Sequence, residues 1–307
     1  MNSRALACSV IIPTRDQAGQ LRATLEALAA QDLPVSRFEV LVIDDGVSDT
    51  TPAVMDDLRP HLTLRYICKP GPRLTAAEAR NTGISYARAP ICVFLEAGVL
   101  PYQGCLTAHL TTHRNEFGPA VAYGLVRGFE SRGHRDGTAR IGLAGSDPAD
   151  PRERFLAKYG DDVDPLPAPW LVFQARNASI ATDWLRGPGA FDEALRSPQG
   201  ADFDLGYRLY RAGVRFRLNR QAGAALLPRP VVPMATTASA LDDHPADADY
   251  RLIAAKHDTP ITRLLPLFPY IDIHTMNDVI QQLGLPVCAD YAARTDRTPR
   301  RALAPAA

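Results

Sequence analysis

Residues 38–49 read FEVLVIDDGVSD, a mostly apolar run rich in β-branched side chains that ends abruptly in two aspartates and a glycine. A short apolar run bounded by a turn signal is the pattern of a strand buried on both faces. The grammar repeats on either side. Upstream, residues 8–12 (CSVII) form a similar run, followed by a helical pattern with Asp16 as candidate N-cap and Leu21, Leu25 and Leu28 on one face. Downstream, residues 50–58 read as a short helix and residues 62–68 (LTLRYIC) as a third strand. Thr75-Ala-Ala-Glu78 is a capping box opening a helix that reaches about Arg88, and residues 91–95 (ICVFL) make a fourth strand. Strands alternating with helices predict an α/β fold with a Rossmann-like, mainly parallel sheet flanked by helices.

The chain has 307 residues, 46% hydrophobic and 22% charged, which excludes a disordered polymer. Its 34 basic and 34 acidic side chains balance, so nonspecific nucleic-acid binding, which needs a positive excess, is not expected. Cys8, Cys68, Cys92, Cys105 and Cys288 are scattered without a CxxC pair and read as reduced core residues. No apolar run approaches the ~20 residues of a membrane span, and none at the N-terminus is long enough for a signal. No transmembrane segment and a cytoplasmic location are the expectations.

Residues 129–168 change character, with many Gly, Asp, Arg and Pro residues and little periodicity, as in a binding loop. Order returns over Trp170 to Ala181, in a helix from about Asp202 to Arg211 closed by Gly213, and in a strand over 214–218. Four regions are expected: 1–128, 129–230, a helical C-terminal extension over 231–290, and a disordered tail over 291–307.

In a parallel sheet, ligands bind beyond the carboxyl ends of the strands. Three polar clusters fall there: Pro13-Thr14-Arg15-Asp16, Asp44-Asp45-Gly46 and Glu96-Ala97-Gly98. Acids at such positions can hydrogen-bond a ribose or a base, or hold a divalent cation, and Arg80 on the helix after Thr75 can face phosphate oxygens. Taken alone, Asp44-Asp45-Gly46 reads as an ordinary turn and Arg80-Asn81 as a solvated helix face. The order and spacing of all three favour a site.

The segments SVIIPTRD, FEVLVIDDGVSDTT, AEARNTGISYARAP and VFLEAGVLP resemble, in order, the nucleotide-sugar-binding half of family 2 glycosyltransferases with the GT-A fold. GAFDEALRSPQGADFDLGYRLYRAGVRF resembles the acceptor half of the same family. The resemblance implies an inverting enzyme that moves a sugar from a nucleoside diphosphate sugar, a UDP-sugar above all, to a saccharide or small-molecule acceptor. It implies that Pro13, Thr14 and Asp16 line the nucleotide pocket, that Asp45 contacts uracil or ribose, and that Asp44 supports the turn. Arg80 matches an arginine near base and diphosphate, Glu96 the first acid of a DXD-type metal motif, and Asp202 the general base.

Two departures stand out. Gly98 replaces the last carboxylate of the metal motif, and Ala201 replaces the first of two adjacent acids. A Mn or Mg ion would then rest on Glu96 with a later histidine, His244, His257 or, preferred, His274. Trp170 and Trp184 flank the implied acceptor region, and Asn177 is a candidate partner for a sugar hydroxyl. For Asp202 a helix N-cap is the competing structural role, and for Asp204 and Arg208 a helix-surface ion pair. The alternative function is a noncatalytic nucleotide- or sugar-binding protein that keeps the fold with a degenerate metal motif. A nucleotidyltransferase is disfavoured because no Gly-rich, Lys-bearing loop follows the first strand.

Overall fold

Alternate residues of the first strand face opposite ways, and both directions are apolar. Val10 and Ile12 pack on one side of the sheet, whereas Ile11 packs on the other. A strand with two buried faces has to be covered twice, and the helices that follow the strands do this. The computed structural model describes residues 5–46, 50–69, 71–128, 150–186, 189–227, 245–267 and 273–287.

The first half alternates β1 (Cys8–Thr14), α1 (Ala18–Ala29), β2 (Phe38–Asp44), α2 (Thr51–Leu58), β3 (Leu64–Cys68), α3 (Ala76–Tyr86) and β4 (Ile91–Leu95). It continues through β5 (Val99–Pro101), α4 (Cys105–Asn115), β6 (Ala120–Tyr123) and β7 (Val126–Arg127). The second half holds α5 (Arg152–Tyr159), β8 (Asn177–Ala181), α6 (Thr182–Arg186), α7 (Pro198–Arg211), β9 (Arg215–Leu218) and β10 (Ala224–Leu226). Helices α8 (Pro245–His257) and α9 (Ile273–Gln282) follow.

The main sheet has the order β3-β2-β1-β4-β8-β6-β9. Only β8 runs against its neighbours, so the sheet is mainly parallel. Strands β5, β10 and β7 form a small second sheet. Helices α1 and α2 cover one face through Leu21, Leu25, Leu28, Val54 and Met55. Helices α3, α5 and α7 cover the other through Ala77, Ile84, Phe155, Phe203 and Leu205. Gly83 is what lets α3 lie flat on β1, since a Cβ there would come within 2.4 Å of Ile11 Cγ2.

Several expectations shift. Asp16 is not the cap of α1: the helix starts at Ala18 after Gln17, and Asp16 sits at φ +50°, in the left-handed turn by which the chain leaves β1. Helix α7 begins at Pro198 with Ser197 as N-cap, its Oγ accepting from the Gly200 N–H, so Asp202 lies inside the helix. Cys8, Cys92 and Cys105 are buried and free, but Cys68 ends the edge strand β3 and is exposed. Residues 129–149, the tail and Cys288 lie outside the described residues. Among the described residues no helix is long and apolar enough to cross a membrane.

Candidate active site

The capping box is formed in full: Thr75 Oγ1 accepts from the Glu78 N–H and the Glu78 carboxylate accepts from the Thr75 N–H. It sets the start of α3, and α3 runs back against the strands, so its first turns stand at their carboxyl ends. Arg80 extends from there into the protein and is 1% exposed. Its NH1 donates to Asp202 Oδ1 at 3.2 Å and its NH2 to Glu96 Oε1 at 3.3 Å, while the guanidinium lies 5.2 Å from the Phe191 ring centroid. One cation on α3 therefore joins the residue after β4 to a residue of α7.

Asp202 is buried, and its Oδ2 accepts from the Ala175 N–H at 3.1 Å. Burial pushes its carboxyl up to about 6, against the lowering pull of Arg80 and the Ala175 N–H. Glu96 Oε2 lies 3.7 Å from Arg176 NH2. Arg176 directly precedes β8, whose first residue pairs with Leu95, and this register sets Arg176 beside Glu96.

Two strands away, Asp45 Oδ2 accepts from Arg15 NH1 at 2.5 Å. Asp44 bonds within the turn: its Oδ1 accepts from the Gly46 N–H at 3.3 Å and its Oδ2 from the Tyr66 hydroxyl at 2.6 Å. Pro13 stays within β1, opposite Ile43, and Asp16 is half exposed beside Arg15. Thr14 Oγ1, Asp45 Oδ1 and Arg80 Nε are buried with no hydrogen-bond partner among the described residues. Buried polar atoms are nearly always paired. These three atoms lie towards the carboxyl ends of the strands, beside the crevice in which ligands of such sheets bind.

Not every expected residue belongs to that crevice. Asn177 faces the other way: it is fully buried, its Oδ1 accepts from His109 Nε2 at 2.9 Å and its Nδ2 donates to the Ala222 carbonyl at 2.7 Å, so it does not reach a sugar there. Trp170 is fully buried, edge-on to Phe203 and Tyr207 at 6.0 and 5.5 Å, and fills the core under α7. Trp184 follows the Ala181 end of β8, which pairs with Ile91 at the opposite edge of the sheet, and packs partly buried on the core. All three are corrections to the expected acceptor side.

Asp204 is no surface partner either. It is fully buried and accepts from Arg208 Nε at 2.8 Å, Lys256 Nζ at 2.8 Å and His257 Nε2 at 2.7 Å. These contacts hold its carboxyl far below the usual range and tie α7 to α8, so His257 serves the scaffold rather than a cation. Asp249 of α8 fastens the start of α7 by accepting from the Arg196 and Ser197 N–H groups at 3.0 and 2.6 Å.

A divalent cation needs several oxygen donors. Here Glu96 has both carboxylate oxygens beside guanidiniums, position 98 is a glycine at φ +92°, and Asp202 is joined to Glu96 through Arg80. Among the described residues no group of three or more His, Cys, Asp or Glu side chains could hold a metal. These residues do not fit the implied ion. His244 lies outside the described residues, and His274 belongs to α9 with its side chain outside them.

Sequence reasoning missed Tyr66 and Arg176, and named Arg15 only as a member of the polar cluster after β1. Arg176 had a signal, because it is the neighbour of Asn177 and successive strand residues point to opposite faces. Only the phase of β8 separates the two.

The comparisons with known proteins agree with this architecture. The chain is 31% identical over 233 residues to validoxylamine A glucosyltransferase from Streptomyces hygroscopicus subsp. jinggangensis, covering 70% of this chain and 54% of that protein. It is 24% identical over 235 residues to chondroitin synthase from Pasteurella multocida, covering 70% of this chain and 24% of that protein. The chain thus spans about half the length, or less, of these curated relatives. In fold it is similar to S. aureus TarS 1-349 in complex with UDP-GlcNAc, with a TM-score of 0.61, 18% identity, and 88% and 73% of the two chains covered. It is also similar to the mannosyltransferase PcManGT from Pyrobaculum calidifontis in complex with GDP-Man and Mn2+, with a TM-score of 0.56, 19% identity, and 95% and 75% covered. The family model described as glycosyl transferase family 2 matches residues 9–169, more than half of the 307 residues, and the chain belongs to that family.

Proposed function

We propose that this chain transfers a sugar from a nucleoside diphosphate sugar to an acceptor hydroxyl, inverting the anomeric carbon, with Asp202 as general base. The observation that carries the reading is the geometry at Asp202, a buried carboxylate held by Ala175 N–H and by Arg80, which also donates to Glu96; burial pushes its carboxyl up to about 6. A base whose pKa lies near the working pH is ionised yet still basic enough to take a proton.

In the reaction, the acceptor oxygen forms a bond to the anomeric carbon while the bond from that carbon to the diphosphate oxygen breaks. The electron pair leaves with the diphosphate, and the acceptor proton passes to Asp202. Attack from the face opposite the leaving group inverts the centre, and one carboxylate suffices, in contrast with the two of a glycosidase. Ala175 N–H and Arg80 hold Asp202 by both oxygens and so fix its direction.

Asp45 Oδ1 and Thr14 Oγ1 supply an acceptor and a donor for uracil or ribose at the ends of β2 and β1. A UDP-sugar is the donor class we put first, supported by the fold neighbour bound to UDP-GlcNAc. The relative named for glucosylating validoxylamine A supports a small-molecule acceptor. The 1–128 region would hold the donor, the 129–230 region would carry the base, and the extension beyond it would brace α7.

Calorimetry with UDP and GDP, followed by turnover of the matching sugars with the product anomer read by NMR, tests the proposal. Binding of neither nucleotide would remove its basis. A noncatalytic binder is the second reading, favoured by Gly98. Asp202→Asn separates the two: turnover that vanishes while UDP binding persists supports the enzyme.

A further inference from the structure

We propose that Arg176 receives the donor's diphosphate, and that this site neutralises the leaving group with guanidinium charge in place of a divalent cation. The inference rests on the reading of the crevice as a nucleoside diphosphate sugar site. It adds a residue and a charge balance to that reading.

The sheet order supplies the placement. Asp45 follows β2, Thr14 ends β1, Glu96 follows β4 and Arg176 precedes β8, and these four strands are consecutive neighbours in the sheet. Adjacent strands lie about 4.8 Å apart. A nucleotide with its base and ribose over β2 and β1 therefore carries its phosphates to the ends of β4 and β8, where Glu96 and Arg176 stand.

Two arginines meet there, and they are not equivalent. Arg80 is sealed at 1% exposure and engaged with Asp202 and Glu96, so its charge organises the site from below. Arg176 has a side chain 22% exposed and leans on Glu96 at 3.7 Å. It is the guanidinium that solvent, and therefore a diphosphate, can reach. A guanidinium stays charged throughout the physiological pH range and offers a planar fork of N–H groups that matches phosphate oxygens. Glu96, which the resemblance makes a metal ligand, acts here as the carboxylate that positions Arg176. The missing acid at position 98 then needs no replacement.

Charge bookkeeping during the reaction agrees. Among the described residues, two guanidiniums face two carboxylates while Asp202 is ionised, so these four charges balance before reaction. When the acceptor proton reaches Asp202, the cluster becomes positive by one charge. That charge appears in the same step in which the departing diphosphate becomes more negative, which favours the transition state over the ground state.

The test is calorimetry of the full chain with UDP, in excess EDTA and, after removal of the chelator, in excess Mn2+. We expect UDP affinities within about threefold of each other, a small effect on the scale where 1.4 kcal/mol is tenfold. Binding of UDP that appears only with Mn2+ overturns this inference and leaves the proposed transfer standing. Absence of UDP and GDP binding in both buffers removes the proposed function and this inference together. Arg176→Gln should weaken UDP about tenfold and leave uridine unchanged, with Arg176→Lys restoring part of the loss. Equal weakening of uridine and UDP, or no weakening of either, overturns the role of Arg176.

Discussion

The two edges of the main sheet each bury an acid among arginines, yet the two clusters are built to opposite ends. At the edge that carries the strand N-termini, Glu39 is fully buried and fully partnered. It accepts from Ser9 Oγ at 2.7 Å, Arg88 N–H at 2.8 Å, Arg88 Nε at 2.9 Å and Arg65 NH1 at 3.3 Å. Burial raises its pKa, but the bonds from Arg88 and Ser9 outweigh burial and hold it below the ordinary value. At the carboxyl edge, Asp202 has among the described residues only Arg80 and one backbone N–H as hydrogen-bond partners, and burial wins. A polar cluster that stabilises a fold saturates its acid; one that does chemistry leaves its acid short of partners and its neighbours with unused atoms.

The largest effect that can break this contrast is on Asp202. We expect Asp202→Asn to lower kcat by about 10²–10⁴-fold, the usual worth of a general base, while UDP binding persists. The rise from 3.8 to about 6 is on the order of 3 kcal/mol against the charged form. A group whose folded pKa is raised costs stability above that pKa, so the variant's unfolding free energy in urea at pH 7 should not fall. A loss of several kcal/mol would make Asp202 a structural partner like Glu39.

Glu39→Gln is the mirror experiment. Removing the buried acceptor of Ser9 and the Arg88 N–H costs about 1–3 kcal/mol, less than a fully buried ion pair because Arg88 and Arg65 are partly exposed, whereas UDP affinity of the folded fraction should not change. The lowered pKa of Glu39 gives stability that is present at neutral pH and is lost as pH falls below the ordinary carboxylate value. Weakened UDP binding in a variant that stays folded would show that the two edges are coupled.

Much of the carboxyl edge was legible in the sequence because buried parallel strands announce themselves as apolar runs, and the residue after each run has to be at the edge. Asp45 and Glu96 were found in this way, and the Thr75–Glu78 cap from its Thr-x-x-Glu spacing. Arg80 was placed by its position on the helix after the cap, but Asp202 came from the resemblance, since 122 positions separate the two and periodicity cannot bring them together. Asn177 and Arg176 show the limit. Choosing between adjacent residues depends on which face of β8 meets α4, and that is decided by the seat Asn177 finds between His109 and Ala222. Trp170 and Trp184 failed as sugar platforms because an indole is as useful for filling a core as for stacking.

Behind β8 a neutral relay gives a third, smaller test. Asn177 Oδ1 can only accept, so His109 carries its proton on Nε2, and its Nδ1 accepts from Ser179 Oγ at 3.0 Å. Ser179 Oγ in turn accepts from His113 Nε2 at 2.8 Å. Burial lowers both histidines from 6.5 to about 4. The unfolded chain takes up these protons first, so stability should fall as pH drops from about 6.5 towards 4, by up to about 3 kcal/mol for each histidine. Replacing His109 with Gln should flatten that acid limb in urea titrations. A limb of unchanged steepness would assign the acid sensitivity to the carboxylates instead.

The smallest expected effect sharpens the contrast within the crevice itself. Asp44 and Asp45 are adjacent and both buried, but Asp44 is bonded through both oxygens, whereas Asp45 Oδ1 has no partner among the described residues. If that oxygen is the acceptor for a nucleotide N–H or ribose hydroxyl, Asp45→Asn removes one charge-assisted bond, worth about 1.5 kcal/mol or roughly tenfold in Kd. The loss should be seen with uridine as well as with UDP, because the contact lies on the nucleoside and not on the phosphates. The unfolding midpoint in urea should move little, since Asp45 gives up only the ion pair to the partly exposed Arg15. Asp44→Asn should do the reverse, loosening the turn and the Tyr66 bond, with the stability change larger than the change in uridine affinity. Equal behaviour of the two variants would mean that Oδ1 of Asp45 faces no ligand and that the orphaned atoms are packing defects of one edge, not the outline of a site.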